Sequence, residues 1–414
     1  MKVLEIRDII LSKGEICDHC LGRQFTQLYQ GVENSKIGAA IRIAKTEEDI
    51  AKLISKDLKV KLSKNCFICK GIFTEMEDML EKMLEKASGL EWKSFLVGNK
   101  LPPELIESEE ILWTDIGMQY CEPIKREINR LLGKRISEKT GKLADFENPD
   151  IILIANFKTK RAEINIRPLF IKGKYRKLVR GIPQTKWPCR YCKGIGCEKC
   201  NYTGKMYKES VEELIAHEIL KATGGKESKF HGKGREDIDA LMLGSGRDFI
   251  IEIIEPKKRY INLDEMLRKI NDYAKGKVEV SDLSFSNKKE VIELKAATAD
   301  KVYEAFVSSE ESLSDEEVHK LELFFKNRKI KQRTPKRVAH RRADKIREKE
   351  IRYVKCQMIN EKQFKAEIRA ESGTYIKELI SGDEGRTEPS FSSTINKKLS
   401  CEKLNVLELV DVED

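Results

Sequence analysis

Four cysteines fall within the stretch CRYCKGIGCEKC, at Cys189, Cys192, Cys197 and Cys200. Two CxxC pairs with Gly194 and Gly196 between them permit the tight turns that bring both pairs of sulfurs onto one ion. A chain with this stretch must fold around a stapled knuckle near its middle. A second set is split, with Cys17 and Cys20 in CDHC and Cys66 and Cys69 in CFIC. Two turns that each offer a thiolate pair can close a tetrahedral site, the intervening segment packing over it. Structural zinc is the expected occupant of both sets, two ions in all; for the split set the alternative is buried cysteines without a metal. Thiolates alone leave an iron–sulfur centre open at the knuckle. Neither set leaves an open coordination position, so no metal is expected in catalysis. His19 is expected at the surface rather than on an ion.

At 414 residues the chain should hold two to three domains. Its net charge of +10 permits a polyanionic partner, although a generic lysine/glutamate-rich surface gives the same balance. Distribution says more than the total. RTPKRVAHRRADKIREK, from Arg333 to Lys349, holds eight basic residues against two acids. A second basic run, Lys172, Lys174, Arg176, Lys177 and Arg180, precedes the knuckle. No apolar stretch approaches the roughly 20 residues that span a bilayer, and no signal-peptide core follows Met1. A cytoplasmic protein is expected, and its eleven cysteines are then not expected to pair as disulfides.

Periodicity divides the chain into an N-terminal metal-binding segment (1–74), an α/β unit (75–187), the knuckle (188–204) and a larger domain (205–414). Helices are expected at 22–29, 35–43, 75–87, 122–132, 211–223, 261–273 and 314–325. Strands are expected in SFLVG, IILIANF and AEINIRPLFIKG, and at 249–254, 291–296, 301–307, 350–357 and 363–370. The segment HGKGREDIDALMLGSGR, His231 to Arg247, adds four glycines and the carboxylates Glu236, Asp237 and Asp239. A glycine-rich turn can carry a carboxylate to a sheet edge, where an arginine fixes it or holds a phosphate. A solvated turn between a helix and a strand would have the same composition. If the segment is extended, Asp239 shares a face with Asp237; otherwise it is a turn or surface acid.

Longer motifs extend the reading. The chain resembles the archaeal tRNA pseudouridine synthases that act in the TΨC arm. The resemblance runs through CDHCLGRQF, FLVGNKLPPEL, NPDIILIANF, YRKLVRGIPQTKWPCRYC, TGKMYKESVEELI, FHGKGREDIDALMLGSGRDF, QRTPKRVAHRRADKIR and AESGTYIKELISGDEGRTEPS, covering essentially the whole chain. It implies an α+β fold, in which a pseudouridine synthase domain with a mixed or antiparallel sheet and flanking helices follows a zinc-bearing, THUMP-like α/β domain. It implies tRNA as partner, with positions 54 and 55 as targets, and no nucleotide cofactor. A monomer is expected.

Carried onto this sequence, the resemblance makes Asp237 the catalytic carboxylate and Arg235 the residue that positions the flipped nucleotide. Tyr303 becomes the aromatic face for the base and an aid to deprotonation. Lys377 becomes the cation beside the aspartate and Leu379 the apolar wall. Tyr375 is the alternative aromatic face. Arg333, Lys336, Arg337, Arg341, Arg342, Lys172, Lys174 and Arg176 are the expected tRNA contacts. Two departures stand out: Leu241, where relatives usually carry arginine, and Ser381, where they commonly carry histidine. Two other readings compete, a non-catalytic tRNA-binding or chaperone-like protein and a zinc hydrolase using Asp237. Joint retention of the five catalytic-site residues argues against the first. Five histidines scattered at 19, 217, 231, 319 and 340 argue against the second.

Overall fold

AEINIRPLFIKG contributes two strands to two different sheets, and the chain divides between Arg167 and Pro168 within it. The division lies upstream of the boundary expected near 187, because the strand after Pro168 hydrogen-bonds inside the larger sheet. The computed structural model describes residues 2–340 and 342–411.

The N-terminal unit contains helices α1 (Val3–Ser12), α2 (Asp18–Gly22), α3 (Asn34–Ile43), α4 (Glu47–Ile54) and α5 (Met76–Lys86). Strand β1 (Ser94–Lys100), α6 (Pro103–Ile116), α7 (Ile124–Thr140), β2 (Leu143–Ala144), β3 (Ile151–Asn156) and β4 (Arg161–Ile166) follow. The strands form one sheet in the order β2-β1-β3-β4, parallel except at β3–β4. Ile128, Leu132 and Ile136, at i, i+4 and i+8, put one face of α7 into the core with Phe95, Ile151 and Leu153.

The larger unit contains β5 (Leu169–Lys177), α8 (Val211–Thr223), β6 (Glu227–Gly232), β7 (Ala240–Ile254), α9 (Leu263–Ala274), β8 (Val278–Ser286), α10 (Lys288–Ala296) and β9 (Ala299–Ser309). Then come α11 (Asp315–Phe325), β10 (Arg328–Arg333), β11 (Ile346–Asn360), β12 (Gln363–Ala370), α12 (Ile376–Ser381), β13 (Thr387–Glu388), α13 (Phe391–Ile395) and β14 (Leu399–Asp411). One sheet runs β13-β10-β11-β12-β9-β14-β7-β5-β8, with β6 also paired to β7. Its pairings are antiparallel apart from β7–β14, where Ala240, Leu241 and Met242 meet Leu404, Asn405 and Val406. Helix α8 shows why the sequence signals were readable. Ser210 Oγ accepts from the Glu213 N–H, Gly224 ends the helix in the left-handed region, and Val211, Leu214, Ile215 and Ile219 form the buried stripe.

Three elements differ from expectation. The helix expected at 22–29 is α-helical over Asp18–Gly22 and continues as a 3-10 helix over Arg23–Leu28. Residues 288–296 are helical rather than a strand at 291–296. Asn287 caps them, its side chain accepting from the Lys289 and Glu290 N–H groups, which outweighs the strand preference of Val291 and Ile292. The glycine-rich segment joins two strands, β6 and β7, rather than a helix and a strand.

Candidate active site

The loop 233–239 between β6 and β7 is held from beneath by buried charge. Alternation along β5 turns Tyr175 and Lys177 inward, where both are fully buried, while Lys172, Lys174 and Arg176 face outward. Lys177 Nζ donates to the backbone carbonyls of Asp237 at 3.0 Å, Ile238 at 3.2 Å and Ile182 at 3.2 Å. Burial draws this ammonium below its ordinary range, against the pull of Glu236 and the two aspartates. Glu236 points down from the loop, accepts from Tyr175 Oη at 2.8 Å and ion-pairs with Arg247 Nε at 3.0 Å. Gln184 Nε2 donates to Tyr175 Oη at 2.8 Å and to the Gly234 carbonyl at 3.0 Å. Arg180 donates to the carbonyls of Asp239 at 2.5 Å and Leu404 at 2.8 Å, tying the loop to β14. In the sequence Lys177 and Arg180 stand only as members of a basic run. The alternation of β5 was the signal that could have separated Lys177 from its neighbours.

Above this support, Asp237 borders a cavity of about 280 Å³. The cavity is lined by Arg235, Tyr303, Arg337, Arg342, Tyr375 and Lys377, among others. It is near the small end of ligand pockets, which span roughly 300–1,000 Å³. Asp237 Oδ2 lies 3.1 Å from Arg337 Nη1 and 3.8 Å from Lys377 Nζ. Lys377 is closer to Asp239, at 2.6 Å. Burial would raise the Asp239 carboxyl, but the Lys377 hydrogen bond and charge hold it below its ordinary range. Burial pushes the Tyr303 phenol up to about 12, with Asp237 adding to the effect, so its hydroxyl stays protonated at neutral pH. Gln332 exchanges two hydrogen bonds of 2.9 Å with the Tyr375 backbone, and Arg342 donates to Tyr375 Oη at 3.2 Å.

The structure revises several expectations. Leu379 lies fully buried in the core below α12, away from the cavity lining; Leu404 and Val406 of β14 supply the apolar wall, with Ile376 and Val338. Arg337, expected on the tRNA backbone, is committed to Asp237 and to Glu378, 2.6 Å from its Nε. Arg333 pairs with Asp344 at 2.6 Å, Lys172 with Glu290 at 2.6 Å, Lys336 with Glu384 and Arg176 with Glu279. These four and Lys174 lie outside the cavity. Arg341 lies outside the described residues. Arg235 reaches toward the Trp187 ring, 6.0 Å away, beside a second cavity that also borders Asp237. Asp239 sits in a turn, so the two aspartates are not on an extended segment.

The cysteines assemble as their spacing suggests. In each set of four, every sulfur lies within 4.8 Å of the others, a donor arrangement able to hold a metal ion. In the knuckle, the N–H groups of Gly196, Cys197 and Gly204 point at the sulfurs of Cys192 and Cys200 at 3.2–3.3 Å, an arrangement that favours thiolates. Gly204 is needed for this, because a Cβ there would lie 2.3 Å from the Gly194 carbonyl oxygen. Around the N-terminal set, His19 is tucked in rather than exposed. It stacks on Phe73 at 4.3 Å and meets Glu127 at 2.8 Å, and it is not a ligand.

A family profile described as Pus10, C-terminal matches residues 170–411, more than half of the chain, and one described as Pus10 THUMP domain, archaeal matches 79–156. The chain belongs to the archaeal Pus10 family of tRNA pseudouridine synthases. It is an isomerase whose pseudouridine synthase domain follows a THUMP-bearing one. The tRNA pseudouridine synthase Pus10 of Methanothermobacter marburgensis is 45% identical over 416 residues, covering 99% of each chain. That of Methanocaldococcus jannaschii is 42% identical over 431 residues, covering 97% of this chain and 93% of its own. That of Pyrococcus furiosus is 38% identical over 409 residues, covering 99% and 98%. Among the described residues, no helix is long and apolar enough to cross a membrane.

Proposed function

We propose that the protein isomerises uridine to pseudouridine in the TΨC arm of tRNA, at positions 54 and 55, with Asp237 as the catalytic carboxylate. The observation that carries this reading is the placement of Asp237 at the cavity border, within reach of Arg337 and Lys377 and on the same cavity as Tyr303. The reaction breaks the N1–C1′ bond, turns the detached uracil and joins C5 to C1′, with loss of the C5 proton. A carboxylate serves either as nucleophile at C1′ or as base at the ribose. Arg337 and Lys377 face it as opposite charges, while Glu378 and Asp239 keep those cations in place. Leaving the stack costs the target base a few kcal/mol, part of which Tyr303 returns by stacking. Arg342, Lys336, Lys172, Lys174 and Arg176 hold tRNA phosphates. The acid partners of Lys336, Lys172 and Arg176 yield readily, since surface pairs contribute little. The test is to map pseudouridines in unmodified tRNA transcripts after incubation with the purified protein. Modification at positions other than 54 and 55 would overturn the target assignment.

Tyr303 substitutions should separate stacking from proton transfer. Tyr303→Phe keeps the ring and should bind tRNA normally, so any loss of rate measures the hydroxyl. Tyr303→Leu should weaken capture of the flipped base by about 1–3 kcal/mol. Wild-type turnover by Tyr303→Leu would move the aromatic role to Tyr375.

Zinc is the occupant that best suits two closed four-thiolate sets, and its role is structural. Elemental analysis should find two zinc ions per chain, one for each cysteine set. Cys189→Ser should impair folding or tRNA docking before it touches the chemical step. Iron with a visible charge-transfer band would refute the assignment.

A further inference from the structure

The floor of the cavity carries more positive than negative charge. Lys301 and Tyr303 lie two residues apart on β9, so their side chains share the face that borders the cavity. Lys301 is 8% exposed, and no carboxylate lies within ion-pair distance of it among the described residues. The nearby carboxylates are already engaged. Glu236 holds Arg247 and Tyr175, Asp237 faces Arg337, and Glu371 holds Lys349 at 2.6 Å. Gly234, at φ +80°, makes the space: a Cβ there would lie 3.1 Å from Arg247 Nη1 and 3.2 Å from Lys301 Nζ. Two cations therefore sit side by side beneath the catalytic loop, and Arg247 alone has a carboxylate partner. Burial, with Arg247 and Lys349 adding to it and Glu236 opposing, draws Lys301 down to about 8, so it is still charged at neutral pH.

An unpaired buried ammonium at a cavity wall costs the free protein stability unless something anionic enters. We propose that Lys301 is a catalytic residue whose ammonium donates to a carbonyl oxygen of the uracil as the N1–C1′ bond breaks. This rests on the assignment of Asp237 and Tyr303 above. Whether the carboxylate attacks C1′ or removes a ribose proton, the electron pair of the broken bond leaves on N1 and spreads onto the carbonyl oxygens. The uracil is then an anion until C5 bonds C1′ and takes up that electron pair; the C5 proton afterwards leaves and N1 gains a proton. Tyr303 is the platform for the ring, so the neighbouring position on the same strand face reaches the base rather than the sugar-phosphate. The more exposed Arg342 and Lys336 remain for phosphates. A donor already in place where charge develops needs no reorganisation at the moment of reaction, which is why such groups weigh heavily on rate.

The experiment uses the full-length, metal-loaded protein and unmodified tRNA transcripts. Lys301→Met should slow single-turnover pseudouridine formation by about 10²-fold or more, with tRNA affinity kept within a few-fold. Its melting temperature should equal or exceed that of the wild type, because an unpaired buried charge has been removed. Lys301→Arg, which keeps the charge, should retain more of the rate than Lys301→Met. A wild-type rate for Lys301→Met overturns the proposal. So does a loss of affinity that accounts for the whole defect, which would mark a phosphate contact. A lowered melting temperature or failure to fold would mark a structural lysine and overturn it as well. If Asp237→Asn is inactive while Lys301→Met is normal, this inference fails alone; if Asp237→Asn is active, the site assignment beneath it fails.

Discussion

Asp237→Asn is expected to reduce pseudouridine formation by at least ~10³-fold while tRNA affinity stays within a few-fold, since phosphate contacts elsewhere dominate binding. The substitution keeps the shape of the side chain and removes the charge that Arg337 and Lys377 face. Asp239→Asn should lose far less. Its carboxylate is held by Lys377 at 2.6 Å, so its loss alters the position of that lysine rather than the reacting group. Comparing single-turnover rates of the two variants on the same transcript checks both statements. Comparable rates for Asp237→Asn and the wild type would redirect the assignment to Asp239.

Glu236→Ala should have the largest effect on stability. The carboxylate is fully buried between Tyr175, Arg247 and Lys177, and its removal leaves two buried cations without an anion. Breaking such a cluster costs roughly 3–5 kcal/mol. For a domain of this size that corresponds to a melting transition lowered by about 6–10 °C. Glu236→Gln keeps an acceptor for Tyr175 and should destabilise less. Calorimetry of the two variants tests this; an unchanged transition in Glu236→Ala would mean that the cluster is hydrated rather than buried.

Much of the architecture could be read from local signals, and the exceptions have physical causes. The cysteine sets and the helix 211–223 carry their own spacing, so no knowledge of distant residues was needed. Residues 291–296 read as a strand because Val291 and Ile292 favour one; the Asn287 cap and α10 decide otherwise. At the site, the residues that line the cavity with Asp237 include Tyr303, Lys377, Arg235 and Tyr375. Leu379 was misplaced because a helical residue near Lys377 can turn into the core, and the wall comes instead from Leu404 and Val406 on a strand with no motif of its own. Arg337 and Lys177 were hidden within basic runs. Composition cannot tell a lysine facing water from one holding three carbonyls, nor an arginine awaiting phosphate from one already paired with a carboxylate.

Strand β14 lies in the middle of the larger sheet, between β9 and β7, although it comes after both in the chain. It pairs Leu404 with Ala240 and supplies Leu404 and Val406 to the cavity wall. During synthesis the loop that carries Asp237 therefore emerges long before the strand that completes its surroundings. Until β14 is in place, β9 and β7, the strands on either side of it, have no pairing to join them. Closing so long a loop is slow compared with forming helices and hairpins. The N-terminal unit, complete by Arg167, is free to fold first. The wall that Leu404 and Val406 give the cavity beside Asp237 is thus contributed by the last strand of the sheet to be made.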